Sequence, residues 1–212
     1  MTARSITTEA IGALVVACAL FGCTSTGGPG SGRIEFERDG GFTITEPTRF
    51  DSGVRGDFDD ALRLIEDGEY AEGIALLEGV AEAAPHATTA HIDLGIAYRM
   101  TSEYERAEAS LQRALELNAR HPVALNELGI VYRRMGRFDD ARASYERALS
   151  VSADFHYARR NLAILCDVYV GDLACALEHY EIYARVVPED EQVAMWITDL
   201  RNRLRRQEAN GS

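Results

Sequence analysis

From about residue 54 onward, apolar positions recur with helical spacing, and the whole pattern of apolar, small and polar positions returns every 34 residues. Leu94, Leu128 and Leu162 share one column, Gly95, Gly129 and Ala163 the next, and Ile96, Ile130 and Ile164 the one after, with Tyr98 and Tyr132 continuing the register. A second set follows in Tyr70, Tyr104 and Phe138, in Gly73, Ala107 and Ala141, and in Val80, Ala114 and Ala148. Within a unit, Leu94, Ala97 and Tyr98 lie on one helical stripe. After the polar break Thr101-Ser102-Glu103, a second stripe runs through Ala107, Leu111, Ala114 and Leu115. Two amphipathic helices joined by a short turn are therefore predicted for each unit. Antiparallel helices can approach closely only where side chains are small. The pattern pairs Gly95 with Ala107 and Gly129 with Ala141 at that approach, while the Leu and Tyr columns fill the space between successive hairpins.

Four units are expected, over 54–87, 88–121, 122–155 and 156–190. The first has a degenerate opening helix around Phe58 to Glu66 and closes at Pro85. The fourth carries one extra residue before Gly171-Asp172-Leu173 and closes at Pro188. Residues 191–206 predict a last helix with Val193, Trp196, Ile197, Leu200 and Leu204 on one face, which suits the capping element that a stack of repeats needs. The segments Leu94-Gly95-x-x-Tyr98 with Ala107, Leu111 and Ala114, and Leu128-Gly129-x-x-Tyr132 with Ala141, Tyr145 and Ala148, resemble the tetratricopeptide repeat. The resemblance implies an all-α solenoid of about four helical hairpins plus a capping helix, spanning 54–206.

In that family the first helices of successive repeats line a concave groove that receives an extended or helical peptide. Carried over column by column, the resemblance implies groove positions at Ile92, Asp93, Ile96 and Arg99, at Asn126, Glu127, Ile130, Arg133 and Arg134, and at Tyr157, Arg160, Asn161, Ile164 and Asp167. The isoleucines would form an apolar floor, the arginines could pair with carboxylates, and the asparagine amides could hold a peptide backbone. Asp93 and Glu127 would repel an acidic ligand. The set departs from the carboxylate-clamp pattern of chaperone-binding relatives, and single members of it can equally be packed or solvated.

Ahead of the repeats, Ile11 to Phe21 is an apolar run too short to span about 30 Å of hydrocarbon as a helix. It predicts a signal segment over 1–22. Leu20-Phe21-Gly22-Cys23 resembles the bacterial lipobox, which implies lipidation at Cys23. Val15-Val16-Ala17-Cys18 is a second possible site. Thr24 behind the cysteine then implies sorting to the periplasmic face of the outer membrane of a Gram-negative cell. Residues 23–32, rich in Gly, Ser and Thr, predict a flexible spacer. Residues 33–53 predict a β-hairpin and linker, since Ile34, Phe36, Phe42 and Ile44 alternate with polar residues around Asp39-Gly40-Gly41.

The charge balance narrows the partners. The 212 residues carry a formal net charge of −12, and all 22 basic residues are arginine. Residues 24–87 hold 14 acids against 5 arginines, so most of the excess is N-terminal to the best repeats. An acidic surface repels phosphate backbones, which argues against nucleic acid as a partner. The run Arg201, Arg203, Arg205, Arg206 is the one basic cluster and suits the solvated end of a last helix.

No motif for a catalytic centre, a phosphate loop or a cofactor is found, and no small-molecule substrate is expected. His86, His91, His121, His156 and His179 are scattered among helix ends and faces. Cys166 and Cys175 flank Gly171 at the turn of the fourth hairpin, where antiparallel helices would set them at similar height. They suit either a disulfide or two small buried thiols, Cys175 falling in the column of Ala107 and Ala141. The expectation is a non-enzymatic adaptor for other envelope proteins, tethered to the membrane by its lipid, within an assembly such as a pilus, secretion or cell-wall complex. The alternative is a redox- or metal-responsive protein using Cys166, Cys175 and His179.

Overall fold

The computed structural model describes residues 33–36, 42–45 and 51–211. The expected signal segment, Cys23 with its spacer, and the turn at Asp39-Gly40-Gly41 lie outside the described residues. The chain divides into two compact units, Met1–Pro47 and Thr48–Ser212. In the first, strands β1 (Arg33–Phe36) and β2 (Phe42–Thr45) pair antiparallel, with Ile34 opposite Ile44 and Phe36 opposite Phe42.

The described residues of the second unit form helices joined by short turns. In chain order it contains α1 (Ser52–Glu66), α2 (Tyr70–Ala83), α3 (Thr88–Met100), α4 (Tyr104–Leu117), α5 (Pro122–Arg134), α6 (Phe138–Val151), α7 (His156–Ile164), α8 (Leu173–Val186) and α9 (Glu191–Gly211). Helices α1/α2, α3/α4, α5/α6 and α7/α8 pack as hairpins. Each second helix packs on the first helix of the next unit. Helix α1 begins two residues before the expected boundary, and α9 runs past Arg206 to Gly211. Among the described residues no helix is long and apolar enough to cross a membrane.

The glycine columns mark the closest approach inside each hairpin, with a different pairing from the one expected. A methyl on Gly95 would stand 2.5 Å from Leu111 Cγ, and one on Gly129 would stand 2.5 Å from Tyr145 Cε1. The glycine of α3 or α5 thus receives a large side chain of its hairpin partner, while Ala107 and Ala141 are themselves fully buried. Between units, the tyrosine column reaches back 20 residues in sequence: Tyr98 donates to Glu78, and Tyr132 meets Gln112 at 3.4 Å. Arg106 lies over the Tyr98 ring and Arg137 over the Tyr132 ring, each 4.1 Å from the centroid.

Each hairpin turn closes through one residue in the left-handed region: Gly68, Ser102, Gly136 and Gly171. In the first three the amide beyond that residue donates to the carbonyl five residues back, as Glu69 to Leu64, Glu103 to Tyr98 and Arg137 to Tyr132. In the fourth, Asp172 donates to Cys166, six residues back. The extra residue of this unit is taken up by a π-helical turn, Leu165–Val170, that continues α7. Beyond it the small-residue column therefore moves by one. Ala176, fully buried, is the counterpart of Ala107 and Ala141, whereas the half-buried Cys175 is displaced from that column and bonded to Cys166, with Cα atoms 5.9 Å apart.

His121 caps α5, its Nδ1 accepting from the Ala124 amide at 3.3 Å. It is 2% exposed, and burial pushes its pKa from 6.5 down to about 4. The folded state therefore refuses a proton that the unfolded chain accepts.

Two outcomes are expected from this packing. Gly129→Ala drives a methyl into the buried ring of Tyr145, and the overpacking outweighs the gain in helix propensity. A loss of roughly 1–2 kcal/mol should appear as a lower thermal midpoint. For His121, stability is intact above pH 6.5 and is lost as pH falls from there toward about 4, by on the order of 2–3 kcal/mol. His121→Asn keeps the capping acceptor and should flatten that pH dependence in denaturant titrations.

Candidate protein-binding groove

The first helices of successive units adjoin, α1 with α3, α3 with α5 and α5 with α7, and make one continuous inner face. Because the helical columns repeat, equivalent positions of each helix lie beside one another on it. Ile96 and Ile164 are half-buried and Ile130 is 9% exposed, so the three form an apolar ladder across the units. Ile92 is 1% exposed and packs in the core.

Beside the ladder runs a polar row. Arg99 donates through Nε to Glu127 Oε2 at 2.9 Å, Asn126 Nδ2 donates to Glu127 Oε1 at 3.2 Å, and Asn161 Nδ2 donates to Asn126 Oδ1 at 3.0 Å. One connected chain thereby crosses three units, and its buried members Asn126 and Glu127 satisfy each other. Asp93 occupies the Glu127 position one unit earlier and has a different environment. Its Oδ2 is shielded from solvent without a hydrogen-bond partner, and burial raises its pKa from 3.8 to about 8. The carboxyl is therefore largely protonated at neutral pH.

Toward the C-terminal end, packing takes up several of the expected residues. Arg133 is buried and lies 5.5 Å from the ring of Tyr169, and Asp167 pairs with Arg203 of α9 at 2.6 Å. Arg160 stands 3.7 Å from Asp190 and 5.4 Å from the ring centroid of Trp196. Tyr157 packs on His156, and Arg134 is exposed. The face thus combines apolar positions with charges of both signs, Arg99 being paired with Glu127 and Arg160 with Asp190.

Several residues on or beside this face were not singled out by column matching. Tyr169, Val168 and Val170 stand exposed on the π-helical turn, with Tyr169 stacked 5.3 Å from Phe138. Tyr169 and Val170, together with Gly136, Arg137, Phe138, Asp139 and Asp140, border a shallow open cleft. The one-residue excess before Gly171 was the available signal. Thr89, whose Oγ1 is also buried without a partner, was missed as well. The sulfurs of Cys166 and Cys175 are bonded to each other, so neither is a free thiolate ligand. His179 stands against Arg159 at 3.3 Å instead. Among the described residues no group of His, Cys, Asp or Glu could hold a metal ion.

Residues 64–126 and 122–155 each match the family described as Tetratricopeptide repeat. No curated protein matches the chain. Among solved structures, MamA (residues 41 to the end) from Desulfovibrio magneticus RS-1 is similar at 18% identity and a TM-score of 0.65, over 76% of this chain and 90% of that one. PilF of Pseudomonas aeruginosa is similar at 20% identity and a TM-score of 0.65, over 72% of this chain and 69% of that one. The first tetratricopeptide-repeat domain of Spaghetti (RPAP3), solved with the HSP90 peptide SRMEEVD, is similar at 20% identity and a TM-score of 0.54, over 57% of this chain and 96% of that one. With four helical hairpins, glycine-mediated close approach and a 34-residue register, the chain belongs to the tetratricopeptide-repeat family of protein-interaction modules.

Proposed function

We propose that the chain is a non-enzymatic adaptor of the bacterial envelope, lipid-anchored at Cys23, whose inner face binds a segment of a partner protein. The observation that carries the binding role is the ladder Ile96, Ile130, Ile164 beside a polar row in which Asn126 and Glu127 are already hydrogen-bonded. A segment laid on this face gains apolar contact without stranding Asn126 or Glu127. A protein of the same fold holds a peptide in RPAP3, which supports this mode of use. That peptide, SRMEEVD, is acidic. Here Arg99 is already paired with Glu127, and a ligand of different charge is the better fit.

The envelope setting rests on Leu20-Phe21-Gly22-Cys23 and the Gly/Ser/Thr-rich stretch behind it. A lipid on that cysteine with a spacer of this composition would leave the repeats free to reach partners near the outer-membrane surface. The role proposed is to organise a multiprotein assembly such as a pilus, secretion or cell-wall complex.

Two experiments test this reading. Baits carrying Ile96→Glu with Ile164→Glu should deplete at least one partner about tenfold in cross-linked co-purification from membranes while keeping the helical circular-dichroism melt. An unchanged partner list with a folded variant excludes the inner face as the binding surface. Labelled fatty acid should be incorporated by the parent chain and by Cys18→Ala, and not by Cys23→Ala. Retention of label in Cys23→Ala overturns the choice of anchor.

A further inference from the structure

The polar row on the inner face is complete between the second and third units and incomplete between the first and second. At the complete junction Arg99, near the end of α3, reaches forward to Glu127 on α5. Moving back by 34 residues places Asp93 where Glu127 stands and Ile65 where Arg99 stands. Ile65 has no donor to offer. Its side chain turns instead toward α2, since a methyl on Gly73 would stand 2.7 Å from Ile65 Cδ1. Asp93 is left at 6% exposure, with Oδ2 lacking any partner.

A second unsatisfied group lies on the same side of α3. Thr89, 1% exposed, has its Oγ1 buried without a hydrogen bond, and it precedes Asp93 by four residues, which sets the two side chains one above the other on the helix. The Thr89 hydroxyl accepts from N–H donors, and the Asp93 carboxyl does so in full once it gives up its proton. Burying such groups unpaired is costly, and a cation carrying several donors would relieve the cost for both at once.

We infer that Thr89 and Asp93 form a subsite for a basic side chain, arginine or lysine, of the protein segment bound on the inner face. The subsite rests on the inner-face reading above and names the chemistry of its ligand. The incoming cation takes the place that Arg99 holds against Glu127, supplied by the partner rather than by this chain. The burial that holds the Asp93 proton up to about pH 8 is offset when a cation docks, so binding releases a proton near neutral pH.

The test uses the full chain in detergent micelles with N-acetyl-arginine amide as probe, followed by NMR of the α3 amides and of the Asp93 carboxyl. The probe should shift the amides of residues 89–96 saturably in the millimolar range, as one ion pair allows. It should also lower the Asp93 titration midpoint by about one pH unit or more. N-acetyl-citrulline amide, neutral and of similar shape, should do neither, and Asp93→Asn should abolish the arginine response while retaining the circular-dichroism melt. Absence of a localised shift at about 50 mM, an equal response to citrulline, or an unchanged response in Asp93→Asn overturns the subsite.

A parallel arm compares baits. Asp93→Asn should deplete, by about fivefold or more, the same partner that Ile96→Glu with Ile164→Glu depletes. Loss in the isoleucine bait with full retention in Asp93→Asn overturns the subsite and leaves the inner face standing. Retention in both overturns the partner-bound subsite together with the inner-face reading.

Discussion

The architecture depends on how closely the two helices of each hairpin approach. Gly95 against Leu111 and Gly129 against Tyr145 let a large side chain of one helix rest on the backbone of the other. Side chains in such a contact are packed at the density of an organic crystal, with no slack for an added methyl. That contact sets the tilt and separation of the pair. The same faces then repeat at 34-residue intervals, so neighbouring hairpins meet through equivalent columns, and the tyrosine hydroxyls reach the preceding unit at equivalent places.

Stacking of this kind aligns positions but not identities, and the inner face shows the consequence. At one junction the column supplies an arginine opposite a glutamate. At the junction before it, the same geometry sets an isoleucine in the arginine position and leaves a buried carboxyl without its counterpart. A row that is closed in the middle and open at one end gives the face a direction. In the binding mode we propose, the apolar ladder beside it supplies non-specific contact area and the open end a requirement for charge.

The fourth hairpin departs from the rest through a single extra residue. The surplus is absorbed by a π-helical turn rather than by a longer loop, which keeps Gly171 in its turn-closing conformation and displaces Cys175 from the small-residue column toward Cys166. The disulfide joins the two arms of that hairpin beside the displaced turn, and the same turn carries Tyr169 out against Phe138 and Arg133. A local insertion has thereby created a surface that the other three units lack.

The helices, the four-unit register and the columns that pack were legible in the residues, because burial of an amphipathic stripe imposes a period and a close helix approach imposes small residues. The face that could bind a ligand was legible as columns, and Ile96, Asn126, Glu127 and Asn161 stand on it. What the sequence could not reveal was which columns remain accessible and which groups satisfy one another. Ile92 turned into the core, Arg133 was covered by a tyrosine from a turn with no counterpart elsewhere, and Asp167 was taken by Arg203 of the last helix. The glycines took in Leu111 and Tyr145 rather than the alanines of the matching column. These outcomes rest on side-chain contacts between elements, 16 to 36 residues apart in the pairs just named. Periodicity places residues on faces. Only the packed tertiary structure decides which of them are left with an unpartnered polar group or an open surface.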